Sequence, residues 1–238
     1  MELLDTALDL SWGVLRDLRK LGAAHIPQAL SPIGLAKLSD ALRDVELTSA
    51  PVEVGSVRQV ASLATIAEPL LGRRPTLRQL ALELEQSFSV APWLETGVSS
   101  WRANEATVMR YPVGVGGISP HLDGRRYSLI VASFSIAGTG RLTIPTDRTG
   151  VHERCGWVCA PGDLVLLRGP GFDACRDGRM LHAAGPPECD ETRVSLTLRM
   201  DKSLPRNPAP PFQSSQRGEC AAADEAVAPT HSRDVGTV

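Results

Sequence analysis

Aromatic residues make up only 4% of this 238-residue chain, four Trp, two Tyr and four Phe, so each ring has to be accounted for singly. Long hydrophobic runs are missing. No stretch of eighteen apolar residues occurs, which excludes a membrane-spanning helix and predicts a soluble protein. An excess of charge of either sign is missing too. With a net charge of −2 and a pI near 6.2 there is no general basic field to hold nucleic acid; the pairs Arg73-Arg74 and Arg125-Arg126 are isolated. The five cysteines, Cys155, Cys159, Cys175, Cys189 and Cys220, include no CxxC pair and follow no secretory signal. A disulfide scaffold and a zinc finger are thereby disfavoured, and reduced thiols in a cytoplasmic protein are expected. No internal repeat is found.

What the chain does contain is a His-x-Asp pair, His121 and Asp123, closing a Gly/Pro-rich loop, Pro112 to Pro120, that follows the alternating segment Ala106-Thr-Val-Met-Arg-Tyr111. In extended chain, residues two apart face one side, so the imidazole and the carboxylate converge. A third candidate, His182, lies in Gly178-Arg-Met-Leu-His-Ala-Ala-Gly185, a short apolar stretch that suits a strand on the facing sheet of a sandwich. Two histidines and one carboxylate form the facial set that holds non-haem Fe(II) with open positions for oxygen and a co-substrate.

Downstream, Arg193-Val-Ser-Leu-Thr-Leu-Arg199 alternates strictly. Val194, Leu196 and Leu198 share one face; Arg193, Ser195, Thr197 and Arg199 share the other. Two planar guanidinium groups shortly past a ligand histidine suit an organic dianion that chelates the metal, because arginine pairs with carboxylates in bidentate fashion. Ser195 adds a hydroxyl donor.

In this order, His-x-Asp, distal His, Arg-x-Ser and a second Arg resemble the Fe(II)/2-oxoglutarate-dependent dioxygenase superfamily over residues 101 to 201, closest to its AlkB-like branch. Tyr111, the turn Pro161-Gly-Asp163 with its strand Leu164-Val-Leu-Leu167, and the final strand fall where that branch has their counterparts. The resemblance implies a mainly β fold, a double-stranded β-helix (distorted jelly roll) with flanking helices. It implies Fe(II) on His121, Asp123 and His182, with O2 and 2-oxoglutarate as co-substrates. Arg193 would grip the distal carboxylate of 2-oxoglutarate, Arg199 would neutralise the end near the metal, and Tyr111 and Ser195 would add hydrogen bonds. Met109 and Ser195 stand where AlkB-type demethylases usually carry Asn, which moves the likeness toward the wider superfamily. Asp123 separates the chain from halogenating relatives, which have a small residue there.

The activity this implies is hydroxylation or oxidative demethylation of a small organic substrate, giving succinate and CO2. An AlkB-type demethylase of nucleic acid and a cupin-like metal-binding jelly roll without oxygenase activity are the alternatives. Trp101, heading the segment that leads to Tyr111, and Arg125, just past the ligands, are the candidate substrate contacts.

Three sections are expected: helical and mixed support over residues 1–100, the β-helix core over 101–202, and a disordered tail over 203–238, rich in Pro, Ser and Ala and poor in large apolar residues. In the support, Leu3, Leu4, Ala7, Leu8, Leu15, Leu18 and Leu21 fall near helical spacing. Ser31-Pro32 is a helix start, and a third helix is expected from near Thr76. His25 and His152 belong to no metal spacing, and Cys220 and His231 fall in the tail.

Overall fold

The structure, a computed structural model, describes residues 2–205 except Ala91 and Cys189. The expected tail beyond Pro205, with Cys220 and His231, lies outside the described residues. Ser11 caps the first helix, α1 (Trp12–Leu21), by accepting from the Gly13 amide, and Gly22 ends it in the left-handed conformation at φ 80°. Ser31 caps α2 (Pro32–Arg43) through the Gly34 amide at 3.0 Å. Pro75 opens α3 (Pro75–Ser87).

The run from Leu3 to Leu8 is not helical, contrary to its spacing. Asp5 and Asp9 accept hydrogen bonds from the amides of Ala7 and Ser11, and such local bonds compete with the helix. Leu3 and Leu4 are buried nonetheless, Leu4 bridging to Leu30.

The described residues hold thirteen strands, in chain order β1 (Ala23–Ile26), β2 (Thr48–Ser49), β3 (Glu53–Val54), β4 (Val57–Val60), β5 (Ser62–Ala67), β6 (Glu105–Tyr111), β7 (Gly117–His121), β8 (Tyr127–Ala137), β9 (Gly140–Pro145), β10 (Glu153–Cys159), β11 (Leu164–Arg168), β12 (His182–Pro187) and β13 (Arg193–Asp201). They form a seven-stranded sheet, β1-β11-β8-β13-β6-β5-β2, and a six-stranded sheet, β10-β9-β12-β7-β4-β3. Neighbouring strands are antiparallel throughout. The section expected as support supplies more than helices, because β4 pairs with β7 and β5 with β6, widening both sheets.

The seven-stranded sheet is buried on both faces. One face carries Ile130, Ala132, Phe134, Leu164, Leu166, Leu196 and Leu198 into a core shared with Leu15, Leu18, Leu38, Leu77, Leu80 and Leu84 of the helices. The other carries Val131, Val165 and Leu167 against Leu142 and Ile144 of the second sheet. Sheets sealed on both faces read as near-continuous apolar runs, which accounts for the uninterrupted Leu129-Ile-Val-Ala in β8. Within this second layer the apolar lining gives way, toward β6, β7 and β13, to polar side chains. That is where the candidate site lies.

Candidate metal and co-substrate site

His121 ends β7 and His182 begins β12, and the two are directly opposed across the ladder. This corrects one expectation: His182 is not on the sheet facing His121 but on the next strand of the same sheet. Their rings lie 4.2 Å apart between centroids. Asp123 follows in the loop after β7, with Oδ2 3.8 Å from His182 Nε2. Ligand-capable atoms of all three side chains fall within 4.8 Å of one another.

Both imidazoles are oriented by their own backbone neighbourhood. His121 Nδ1 lies 2.9 Å from the Ser119 carbonyl and His182 Nδ1 3.1 Å from the Met180 carbonyl. A carbonyl only accepts, so each Nδ1 carries a proton and Nε2 is the atom left for a metal, the arrangement typical of metal-ligating histidine. Burial, followed by the neighbouring His182, pushes the His121 pKa down to about 4, so the ring is neutral at physiological pH. For Asp123 burial acts to raise the pKa, but His182, Arg199 and His121 outweigh it and hold the carboxyl below its usual value. The donor set is therefore one carboxylate held below its usual pKa and two imidazoles, ligand types that suit a divalent cation.

Across the cavity stands β13, whose polar face points inward and not to water. Arg193 is 3% exposed, and neither its Nε nor its Nη1 has a hydrogen-bond partner. Its guanidinium lies over the Tyr111 ring, 5.3 Å from the centroid, and burial raises the Tyr111 pKa so that the phenol keeps its proton. Gly140 on β9 leaves the room: a Cβ there would sit 2.8 Å from Arg193 Cδ. A buried guanidinium with open donors is costly unless an anion completes it. The same cavity, about 60 Å³, is lined by the three ligand candidates and by Tyr111, Arg193, Ser195 and Arg199.

Arg199 differs from Arg193. Its Nη1 donates to Thr107 Oγ1 at 2.6 Å and to Glu105 Oε1 at 3.2 Å, its Nη2 is 3.8 Å from Asp123 Oδ1, and its guanidinium lies over Tyr127. It is thus already anchored by a buried acid on β6. Glu105, Thr107 and Met109 share the inward face of β6 with Tyr111, a set that the alternation of this strand could have revealed but that Tyr111 alone represented. Arg179, also overlooked, donates to the Asp123 carbonyl at 2.7 Å.

The two candidate substrate contacts part ways. Trp101 is fully buried in the helix-backed core, edge-on to Phe88, with its Nε1 donating to the Ile130 carbonyl at 2.8 Å. It sits behind the seven-stranded sheet and not in the cavity, because a large ring gains most where it is wholly desolvated. Arg125 is exposed at the mouth, 3.5 Å from Asp177.

Comparison with solved structures decides the architecture. The epimerase SnoN from nogalamycin biosynthesis, described as non-heme and α-ketoglutarate dependent, superposes with a TM-score of 0.57 at 18% identity, covering 92% of this chain and 94% of its own. A prolyl hydroxylase from Trichoplax adhaerens, solved with a hypoxia inducible factor peptide, gives 0.55 at 14% identity over 80% and 88%. An oxidoreductase of the 2OG-Fe(II) oxygenase family from Burkholderia pseudomallei gives 0.56 at 12% identity over 87% and 99%. This is the fold of the 2-oxoglutarate- and iron-dependent oxygenases. The double-stranded β-helix is therefore present, with helices on the outer face of one sheet. No family model matches the chain, and no curated protein matches it by sequence. Among the described residues no helix is long and apolar enough to cross a membrane, and Cys155, Cys159 and Cys175 are free thiols.

Proposed function

We propose that this protein is an Fe(II)- and 2-oxoglutarate-dependent dioxygenase that hydroxylates or oxidatively demethylates a small organic substrate, with succinate and CO2 as co-products. The observation that carries the reading is the buried, uncompleted guanidinium of Arg193 in the same cavity as His121, Asp123 and His182. Two histidines and a carboxylate on one side suit Fe(II); an open arginine on the other suits the far carboxylate of a dicarboxylate. SnoN, with the same fold, has been solved with Fe3+ and α-ketoglutarate.

When bound, the iron and its 2-oxo acid supply the oxidising chemistry. The protein's residues do the rest. His121 and His182 present Nε2 lone pairs fixed by their carbonyl contacts, and Asp123 supplies the negative charge. Arg193 receives the distal carboxylate, with Tyr111 and Ser195 beside it as hydroxyl groups. Arg199, tied to Glu105 and Thr107, places a positive charge beside Asp123 and the near end of the co-substrate. Val131, Leu142 and Leu167 form an apolar part of the same lining, and such a wall would help to exclude water from the reacting groups. We place the activity in the cytoplasm, where thiols stay reduced.

Iron-dependent formation of succinate from 2-oxoglutarate tests the reading. Succinate that requires Fe(II) and disappears in Asp123→Ala is expected. Iron binding without any succinate would leave a cupin-like metal protein. Formaldehyde released from a methylated oligonucleotide would transfer the function to the AlkB-like alternative, which the final-strand resemblance supports but the charge balance does not.

A further inference from the structure

Two loops flank the candidate ligands, 122–126 after the strand that ends at His121 and 175–181 before His182, and apart from Asp123 the proposed chemistry leaves their charged residues unused. The two loops are clamped together by arginine. Arg179, its side chain 12% exposed, grips Asp177 with Nε and Nη2, both at 2.8 Å, while its Nη1 donates to the Asp123 carbonyl at 2.7 Å. Asp177 is thereby committed to Arg179, and Arg125 reaches the same carboxylate only at 3.5 Å from a side chain 81% exposed. Arg176 is exposed beside it. The other nearby acids are also taken: Asp201 by Arg126 at 2.7 Å, and Asp173 by Arg19 at 2.6 and 3.0 Å.

Counting the two loops alone, Arg125, Arg126, Arg176 and Arg179 face a single rim carboxylate, Asp177, once Asp123 is assigned to the metal. This local excess of positive charge sits on a chain whose net charge is −2. A charged rim around a low-dielectric cleft concentrates ligands of the opposite sign. Among the polar groups that line the cavity, Met109, Val131, Leu142 and Leu167 supply an apolar part of its wall.

We propose that the primary substrate is an organic anion, a carboxylate or a phosphate ester, whose charged end is received by Arg125 and Arg176 while its neutral part reaches past Asp123 to the metal. The proposal rests on the oxygenase reading above and names the substrate class for that same site. Asp177 and Arg179 act as positioning residues: they fix the two loops relative to Asp123 and leave the guanidinium groups of Arg125 and Arg176 open to solvent. A free anion passing the rim could equally be the co-substrate, itself a dianion, and the experiment separates the two sources.

The test uses the full chain loaded with Fe(II), saturating 2-oxoglutarate and air, and reads succinate formation. The probes are matched pairs, each an organic carboxylate or phosphate monoester beside its uncharged methyl ester or amide. At least one anion is expected to change the succinate rate severalfold where its neutral partner does not. In the double variant Arg125→Gln/Arg176→Gln the concentration of that anion giving half its effect should rise about fivefold or more, in line with two partly exposed charge contacts. Both side chains are solvent-exposed, so the variant is expected to fold. Neutral partners acting as well as the anions would overturn the proposal. So would a silent panel on an enzyme that does form succinate, or a fivefold rise in the KM for 2-oxoglutarate in the double variant, which would give the rim to the co-substrate. Absence of iron-dependent succinate in the unaltered protein would instead count against the oxygenase reading itself.

Discussion

Replacing Arg193 by Met separates what the guanidinium does for the fold from what it does for a ligand. The side chain is 3% exposed, and two of its nitrogens, Nε and Nη1, lack any hydrogen-bond partner. Burying unsatisfied donors costs about 1–3 kcal/mol, against which the Tyr111 ring at 5.3 Å returns about 0.5–2 kcal/mol. Met has similar length and no charge to desolvate. The ligand-free variant should therefore be as stable as the native chain or more stable by about 1 kcal/mol, roughly 2–4 °C in Tm for a protein of this size. Co-substrate affinity should move the other way. Loss of one side of a buried charge pair removes about 2–4 kcal/mol, which is roughly 30- to 1000-fold in Kd. Thermal unfolding without ligand and calorimetric titration of the metal-loaded protein with 2-oxoglutarate read the two effects separately. Unchanged affinity would refute the assignment of Arg193 to the carboxylate, and a fall in Tm of ten degrees or more would show a structural arginine instead.

Gly140→Ala should weaken 2-oxoglutarate binding without touching a ligand, because its Cβ would lie 2.8 Å from Arg193 Cδ and 3.2 Å from Nη1; affinity equal to that of the native chain would show that Arg193 can move freely. Trp101→Phe should lower stability by about 1–3 kcal/mol through the orphaned Ile130 carbonyl while 2-oxoglutarate affinity stays the same, and a changed affinity would put the ring back at the site. Hydrogen bonds from Arg179, with Arg125 assisting, hold Asp177 down to about 2. That value is below the carboxyl's in an unfolded chain, so the pairing stabilises above about pH 4 and is lost as pH falls toward 2. Carbon NMR of the carboxyl should show this midpoint move up toward the ordinary range in Arg179→Gln, and an unmoved midpoint would contradict the clamp.

The site was legible where strand periodicity and metal chemistry coincide. The inward set Arg193, Ser195, Thr197 and Arg199 follows from alternation, whereas His121, Asp123 and His182 stood out through the His-x-Asp spacing and the family resemblance. The helix start at Ser31-Pro32 was legible because a cap acts within a few residues, and the helix near Thr76 because Leu77, Leu80 and Leu84 recur at helical spacing. Burial depends on partners distant in sequence, so Trp101 read as a pocket residue until β8 and α3 were seen around it. Strands β2 to β5 escaped because such two- to six-residue segments take their pairing from elsewhere, β4 from β7 and β5 from β6, with β3 and β2 added to these in turn. The hold of Glu105 on Arg199 and of Arg179 on the Asp123 loop are contacts between strands or loops far apart in the chain, and spacing carries no trace of them. Gly140 reads as any turn glycine until the Arg193 side chain is found against it.

The central claim is that one cavity holds iron on His121, Asp123 and His182 and 2-oxoglutarate on Arg193. An anaerobic titration of the Fe(II)-loaded protein with 2-oxoglutarate, followed by visible absorption, tests it most directly. The account predicts a weak, saturable charge-transfer band from chelation of the metal by the 2-oxo acid, absent in His182→Ala. Iron bound with no band at any 2-oxoglutarate concentration, or a band unaltered in His182→Ala, would contradict it.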